Sequence, residues 1–189
     1  MIQINEIIRV IKRRRSIRKF RNEQISDPEI NEIILSALLA PNAMNRQKLH
    51  FTVIQNKDLL DKMVKGIKEN MLDSREAPLT DKASAPDYNT FYNAPTVILI
   101  SGEEKAPFIQ IDCGAAAQNI TLASESLNIG SCLITSSSYL FSTFRDNELK
   151  KELGIPPGYS HICTVALGYK AGENPPAPPK NSDVVNYIK

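Results

Sequence analysis

The longest helical pattern in the chain runs from Phe108 to Leu127, and it is built from small residues. Gly114, Ala115, Ala116, Ala117 and Ala123 lie inside it, and apolar residues occupy more than one of its sides. A helix apolar on a single stripe rests on a core, whereas one apolar on several sides is enclosed by neighbours. Small side chains also allow another helix to approach closely. The pattern therefore predicts a central helix and a candidate subunit interface. Asn128-Ile129-Gly130 ends it, with glycine just past the last turn.

Short apolar runs surround this helix. Leu49 to Ile54, Pro95 to Ser101, Ser131 to Thr135 and His161 to Gly168 read as strands. Residues 3 to 14 place Ile4, Ile7, Ile8 and Ile11 at helical spacing. Ser26-Asp27-Pro28-Glu29 opens a second helix with a capping-box pattern, continued by Ile30, Ile33, Ile34, Ala37 and Leu38 and stopped by Pro41. Leu59, Leu60, Met63, Val64 and Ile67 mark a third helix, and Glu148 to Leu153 a short one closed by Gly154. Residues 73 to 93 lack periodicity and carry Pro78, Pro86, Tyr88, Phe91 and Tyr92. They read as a long irregular loop that forms a lid or a binding wall. Residues 136 to 147 read as a loop with a short turn. Beyond Gly172, Pro175-Pro176-Ala177-Pro178-Pro179 predicts a stiff extended segment, carrying Lys180 and then Val184, Val185, Tyr187 and Ile188 as a terminal strand or arm. With 189 residues, no internal repeat and no second composition block, residues 1–189 form one domain with an extended arm over about 172–189.

The densest charge lies between Arg9 and Arg21, with eight Lys or Arg and no Asp or Glu, in a chain whose net charge is only +2. Cations at the end of the first helix complement its dipole, but that accounts for two or three of them. Three partners fit such a stretch: a phosphate monoester, a nucleic-acid backbone, or water. Arginine forks and the Ser16 hydroxyl suit a phosphate. Base-reading motifs and stacking partners are missing, which disfavours a nucleic acid. Apolar runs such as Val97 to Ile100 are far below the roughly 20 residues of a membrane span. Asn5, Glu6 and Arg9 interrupt any leader-type apolar run at the N-terminus. Cys113, Cys132 and Cys163 are odd in number, widely spaced and set in apolar runs, as expected for buried free thiols in a reducing cytoplasm. No cluster has metal-ligand spacing. There is no glycine-rich phosphate loop, no GxSxG elbow and no evident Ser-His-Asp order. A phosphate grip without catalytic side chains points to a cofactor that carries the chemistry.

The residues then show a resemblance. Arg14-Arg15-Ser16-Ile17-Arg18-Lys19-Phe20 resembles the opening motif of the FMN-dependent nitroreductase family. Ala40 to Gln47, followed by His50-Phe51, is similar to that family's second motif. Asp112 to Asn119 resembles its small-residue central helix, and Asn128 to Ile134 the turn and strand after it. Ala166-Leu167-Gly168-Tyr169, followed by Pro176 to Lys180, resembles the closing segment. These motifs span nearly the whole chain in the family's order.

The resemblance implies an α+β fold, a central antiparallel sheet flanked by helices, in an intertwined homodimer with two FMN molecules at the interface. It implies that Arg14, Ser16 and Arg18 hold the FMN phosphate and ribityl chain, with Arg15 close by and Lys180 reaching in from the C-terminal side. Pro41, Asn42, Ala43 and Asn45 of the other subunit line the flavin, and Gln47 adds a contact. Backbone groups of Leu133, Ile134 and Thr135 approach its ring, and Tyr88, Phe91 and Tyr92 wall the substrate space. Arg9, Lys12, Lys19 and Arg21 are then solvated or structural, and the resemblance leaves Arg13 without a role. It further implies NADH or NADPH as reductant, a small-molecule acceptor such as a nitroaromatic or quinone, ping-pong exchange and no catalytic side chain. A dehalogenase, a flavin-fragmenting enzyme or an FMN-binding regulator remain alternatives. This chain departs from the family pattern at Asn42, at Lys48-Leu49 in place of Pro-Trp, and at Thr135-Ser136 in place of a glycine pair.

Overall fold

The computed structural model describes residues 5–142 and 146–189. Four strands, β1 (Leu49–Ile54), β2 (Thr96–Glu103), β3 (Ile129–Ile134) and β4 (Tyr159–Tyr169), pair antiparallel in the order β1-β2-β4-β3. The central strands are covered on both faces, which is why they read as unbroken apolar runs. Val97 and Leu99 of β2 join Cys132, Ile134 and Ala166 on one face. Ile98 and Ile100 join Ile129, Val165 and Leu167 on the other. The period of two is therefore present but hidden, because both sets of side chains are buried.

Helices fill both faces. On the second face lie α2 (Asp27–Leu38) and α5 (Ile109–Ser126). Ile30, Ile33 and Ala37 of α2 and Cys113, Ala117 and Ile120 of α5 close that core. The start of α2 is fixed by the Glu29 carboxylate, which accepts from the Ser26 N–H at 3.1 Å and the Ser26 hydroxyl at 2.6 Å. The first face is covered by α3 (Lys57–Asp73), with Leu60, Met63, Ile67 and Met71 inward. Asp146–Glu152 forms a short helix after the Ser136–Phe141 3₁₀ turn. The architecture is thus α+β, an antiparallel sheet flanked by helices.

Several expectations change. The first helix, α1 (Glu6–Arg13), starts later than the spacing implies. Asn5 caps it by accepting from the Ile8 N–H at 3.1 Å, while Ile4 lies outside the described residues. Its apolar stripe does not meet the core of its own chain: only Val10 is buried, and Ile7 is 68% exposed. Residues 73 to 93 are not one irregular loop. Helix α3 runs to Asp73 and α4 (Ala77–Ser84) follows, with Pro78 in its first turn, where no donor is lost. A helix with only Ala83 buried shows no apolar period to read. Phe91 is 1% exposed within the core, where it borders a cavity of about 460 Å³ with Leu60, Val64 and Pro95, whereas Tyr88 and Tyr92 are half-buried. The loop expected over 136 to 147 includes residues 143–145, which lie outside the described residues. The C-terminal residues form no strand, and Val184, Tyr187 and Ile188 are exposed. The three cysteines are free and buried. Among the described residues no helix is long and apolar enough to cross a membrane.

Candidate functional site

The basic stretch becomes a site because the sheet holds it. After α1 the chain turns extended at Arg14 and runs beside β3. Ser16 bridges Ser131 in parallel register, and the Ile17 N–H donates to the Ser131 carbonyl at 2.9 Å. Phe20 pairs with Lys170, and the Arg21 N–H donates to the Tyr169 carbonyl at 2.9 Å. Two side chains act as pegs. Ile17 is buried over Gly130 and Phe20 lies over Gly168. A Cβ at Gly130 would stand 2.9 Å from Ile17 Cγ2, and Ile17 is β-branched and stiff. Gly130→Ala is therefore expected to destabilise the protein by about 1–3 kcal/mol, the usual cost of overpacking, read from a urea midpoint.

With the pegs fixed, the charges sort themselves. Arg13 is structural: its Nε donates to the Glu125 carboxylate at 2.7 Å and its guanidinium to the Glu125 carbonyl at 2.9 Å. Arg14 and Arg18 both lie close enough to Cys132 on β3 for their charges to oppose the burial that raises its thiol pKa. Arg18 donates to the Tyr92 hydroxyl at 3.3 Å and lies over the Tyr92 ring. Arg15 donates to the carbonyls of Lys12 and Arg14, but its buried Nε has no acceptor. Arg21 donates to the Lys170 carbonyl, and Arg9 stands 3.7 Å from Glu6. Beyond Tyr92 a cavity of about 300 Å³ opens, lined by Lys82, Asp87, Tyr88 and Thr90. On the β3 side Leu133 is 50% exposed and Thr135 is exposed. Ile134 turns its side chain into the core, which leaves only its backbone for a ligand.

The second set of residues lies elsewhere in the same chain. Asn42 accepts the Gln47 N–H at 2.9 Å, and the Ala43 N–H donates to Asp112 Oδ1 at 3.0 Å. Pro41, Asn42, Ala43, Asn45 and Gln47 thus gather at the N-terminal end of α5, whereas Glu125 ties the basic stretch to its C-terminal end. Asp112 and Glu125 are separated by about 20 Å of helix. One chain therefore presents two separated groups, not one pocket. Lys180 is exposed, and it follows the proline segment that leaves from Asn174. Asn174 itself donates to the Arg13 carbonyl at 3.0 Å. Sequence reasoning passed over Glu125 and the anchoring role of Asp112, the two carboxylates of α5 that secure these groups. Their signal was an acidic residue facing inward on an otherwise small and apolar helix. The Lys48-Leu49 departure has a physical account. The Lys48 amine pairs with Glu103 at 3.2 Å, and Leu49 packs into the second-face core.

The ionisable side chains suited to catalysis are quiet. Burial lowers the pKa of His161 to about 4, so the imidazole is neutral at pH 7, and its Nε2 lies 2.8 Å from the Thr164 hydroxyl. Burial pushes the Cys113 thiol up to about 12 and the Cys163 thiol to about 11. A thiol so high is not a nucleophile at neutral pH. What remains is a sheet-mounted cationic cradle, suited to an anionic group.

Fold and cradle together define an α+β protein with an antiparallel sheet and a cluster of arginines mounted on its β3 edge. The chain belongs to the nitroreductase family, whose model, described as Nitroreductase family, matches residues 11–169. A protein of Archaeoglobus fulgidus, provisionally named an NADH dehydrogenase/NAD(P)H nitroreductase, is 31% identical over 176 residues, covering 90% of this chain and 88% of its own length. A nitroreductase of Bacteroides fragilis solved with bound FMN superposes with a TM-score of 0.92 at 29% identity, covering 98% of this chain and all of that one. Another FMN-bound nitroreductase, from Desulfitobacterium hafniense, gives 0.90 at 31% identity, with 99% and 100% coverage.

Proposed function

We propose that this chain is an FMN-dependent NAD(P)H oxidoreductase that works as a cytoplasmic homodimer. It reduces nitroaromatics, quinones or similar acceptors by a ping-pong mechanism. The observation that carries the reading is the cradle of Arg14, Ser16 and Arg18 pegged to β3, beside the unpartnered buried Nε of Arg15. A donor set of planar forks, a hydroxyl and an orphaned N–H fits a phosphate monoester. Bound FMN would supply hydride transfer between NAD(P)H and the acceptor.

The chain's own residues do the rest. Arg14, Ser16 and Arg18 hold the phosphate, Arg15 stands close, and Lys180 adds charge from the arm. Their positive potential favours negative charge on whatever lies between them and β3. Leu133, Ile134 and Thr135 offer backbone groups at the strand end. Tyr92 keeps the Arg18 fork in place before a ligand arrives.

Pro41, Asn42, Ala43, Asn45 and Gln47 complete the site from a second copy, because within one chain they lie at the far end of α5. A twofold arrangement brings each group of one copy to the opposite group of the other. The surface supports this. Ile111, Gly114 and Gln118 form an open stripe on α5. Next to it a groove of about 480 Å³ runs along Ile7, Leu39 and Leu122. Ile7, Ile11, Leu38 and Leu39 are exposed, and apolar side chains gathered beside a groove suit an interaction surface.

Steady-state kinetics test the reading. Initial rates with varied NADH or NADPH at several concentrations of a nitroaromatic or quinone should give parallel double-reciprocal lines. Intersecting lines reject ping-pong exchange. A halogenated phenol as acceptor, and an assay without one, separate the dehalogenase and flavin-fragmenting readings. FMN binding without NAD(P)H oxidation would leave a regulator.

A further inference from the structure

The segment that the proposed function assigns to the partner's flavin is unusually placed. Within 44–47 three non-glycine residues adopt the left-handed region: Met44 at φ 56°, Asn45 at φ 50° and Gln47 at φ 52°. Asparagine tolerates that region, but methionine and glutamine occupy it only when something outside the loop holds them. Met44 is 82% exposed, so core packing does not hold it. Among the described residues, the segment has one side-chain anchor on the body of the protein, the Ala43 N–H donating to Asp112 Oδ1 at 3.0 Å. The other side-chain contacts, Asn42 to the Gln47 N–H, Gln47 to Asn45 and Arg46 to the Met44 sulfur, lie within the segment itself.

Asp112 is the less expected partner. It is 7% exposed in the first turn of α5, and the Ala43 N–H is the hydrogen bond the structure gives it. A buried carboxylate has a larger desolvation cost than a neutral asparagine in the same place. A helix N-terminus favours the charge, but that role needs no contact with another segment. The contact joins the central helix to a strained loop that meets the flavin of the other subunit.

We propose that Asp112 is a positioning residue for the flavin site of the opposite subunit. Its carboxylate holds Ala43, and through Ala43 it sets the backbone of residues 42–47 in the conformation that meets the ring. The inference rests on the proposed FMN dimer, and it assigns each Asp112 to the site of the copy that does not contain it.

The experiment compares wild type, Asp112→Asn, Asp112→Ala and Ala43→Pro by FMN titration, visible circular dichroism of the bound flavin and thermal unfolding of the apo-protein. Asparagine retains an acceptor for the Ala43 N–H, alanine does not, and proline removes the donor from the other end. Asp112→Ala and Ala43→Pro should each weaken FMN binding by about tenfold, the loss of one charge-assisted hydrogen bond, and share an altered flavin dichroism. Asp112→Asn should stay within about threefold of wild type, with the wild-type dichroic spectrum. A helix-dipole role alone predicts that asparagine and alanine behave alike, because both remove the charge. That outcome, or unchanged affinity and dichroism in Asp112→Ala, overturns the proposal. If Asp112→Ala does not fold, Ala43→Pro against Asp112→Asn decides it on the same criteria. Wild type that binds no FMN would instead refute the proposed function.

Discussion

Replacing Arg14 and Arg18 together by alanine should raise the FMN dissociation constant by about a thousandfold. In the proposed site each guanidinium would contribute a charge-assisted hydrogen bond to the phosphate, worth about 1.5–3 kcal/mol, or roughly ten- to a hundredfold. The geometry says why these two matter and their neighbours do not. Both flank Ser16, which bridges Ser131 of β3, whereas Arg13 is occupied by Glu125 and Arg9 stands by Glu6 at the surface. Lys19→Ala should therefore change affinity by about twofold at most, as for a screened surface charge. Riboflavin, which lacks the phosphate, is the control. Its binding should be nearly indifferent to the double substitution, so the large FMN preference of wild type should collapse in the variant. Fluorescence-quenching titrations with the two ligands measure this. Equal losses for both would mean that the arginines shape the pocket without holding a phosphate.

Glu125→Ala should destabilise the protein by about 3 kcal/mol or more. The carboxylate is 1% exposed and accepts from Arg13 at 2.7 Å and from Lys170 at 2.8 Å. Removing it strands Lys170, whose side chain is only 10% exposed, as a buried unpaired charge. The loss also loosens the end of α1, the end of β4 and Asn174, where the arm begins. The pH dependence follows from the direction of the carboxylate's shift. Burial alone raises its pKa, but the hydrogen bonds from Lys170 and Arg13 outweigh it and hold the pKa below the ordinary 4.5. The folded protein therefore binds this proton less readily than the unfolded chain does. Its stabilisation is fully present above about pH 4.5 and is lost as pH falls through the lower folded value. Urea unfolding at pH 7 should show the full difference between wild type and variant. The gap should narrow on acidification below pH 4.5. A gap that persists unchanged there would place the stabilisation in packing rather than in charge.

These effects also show what the sequence could carry. Strong periods were readable: α2, α3 and α5 lie where Ile30, Met63 and Ala117 recur at helical spacing, and all four strands sit within two residues of their apolar runs. The weak helix α4 was not readable, since one buried alanine leaves no period. The apolar stripe of α1 was legible as a helix but not as a surface left open by its own chain. The charge cluster was visible, but the binding of Arg13 into the structure depends on Glu125, more than a hundred residues away. The glycines behaved similarly. Gly130 and Gly168 read as a helix stop and a strand end, and only the packing of Ile17 and Phe20 shows that they admit the cradle's pegs.

The most direct test of the account is an anaerobic visible spectrum of the purified protein, reconstituted with FMN and passed through a desalting column. Retained flavin absorbance should bleach on addition of NADH or NADPH and return when a quinone is added. A protein that leaves the column colourless, or keeps its yellow colour unchanged with either nucleotide, would contradict it.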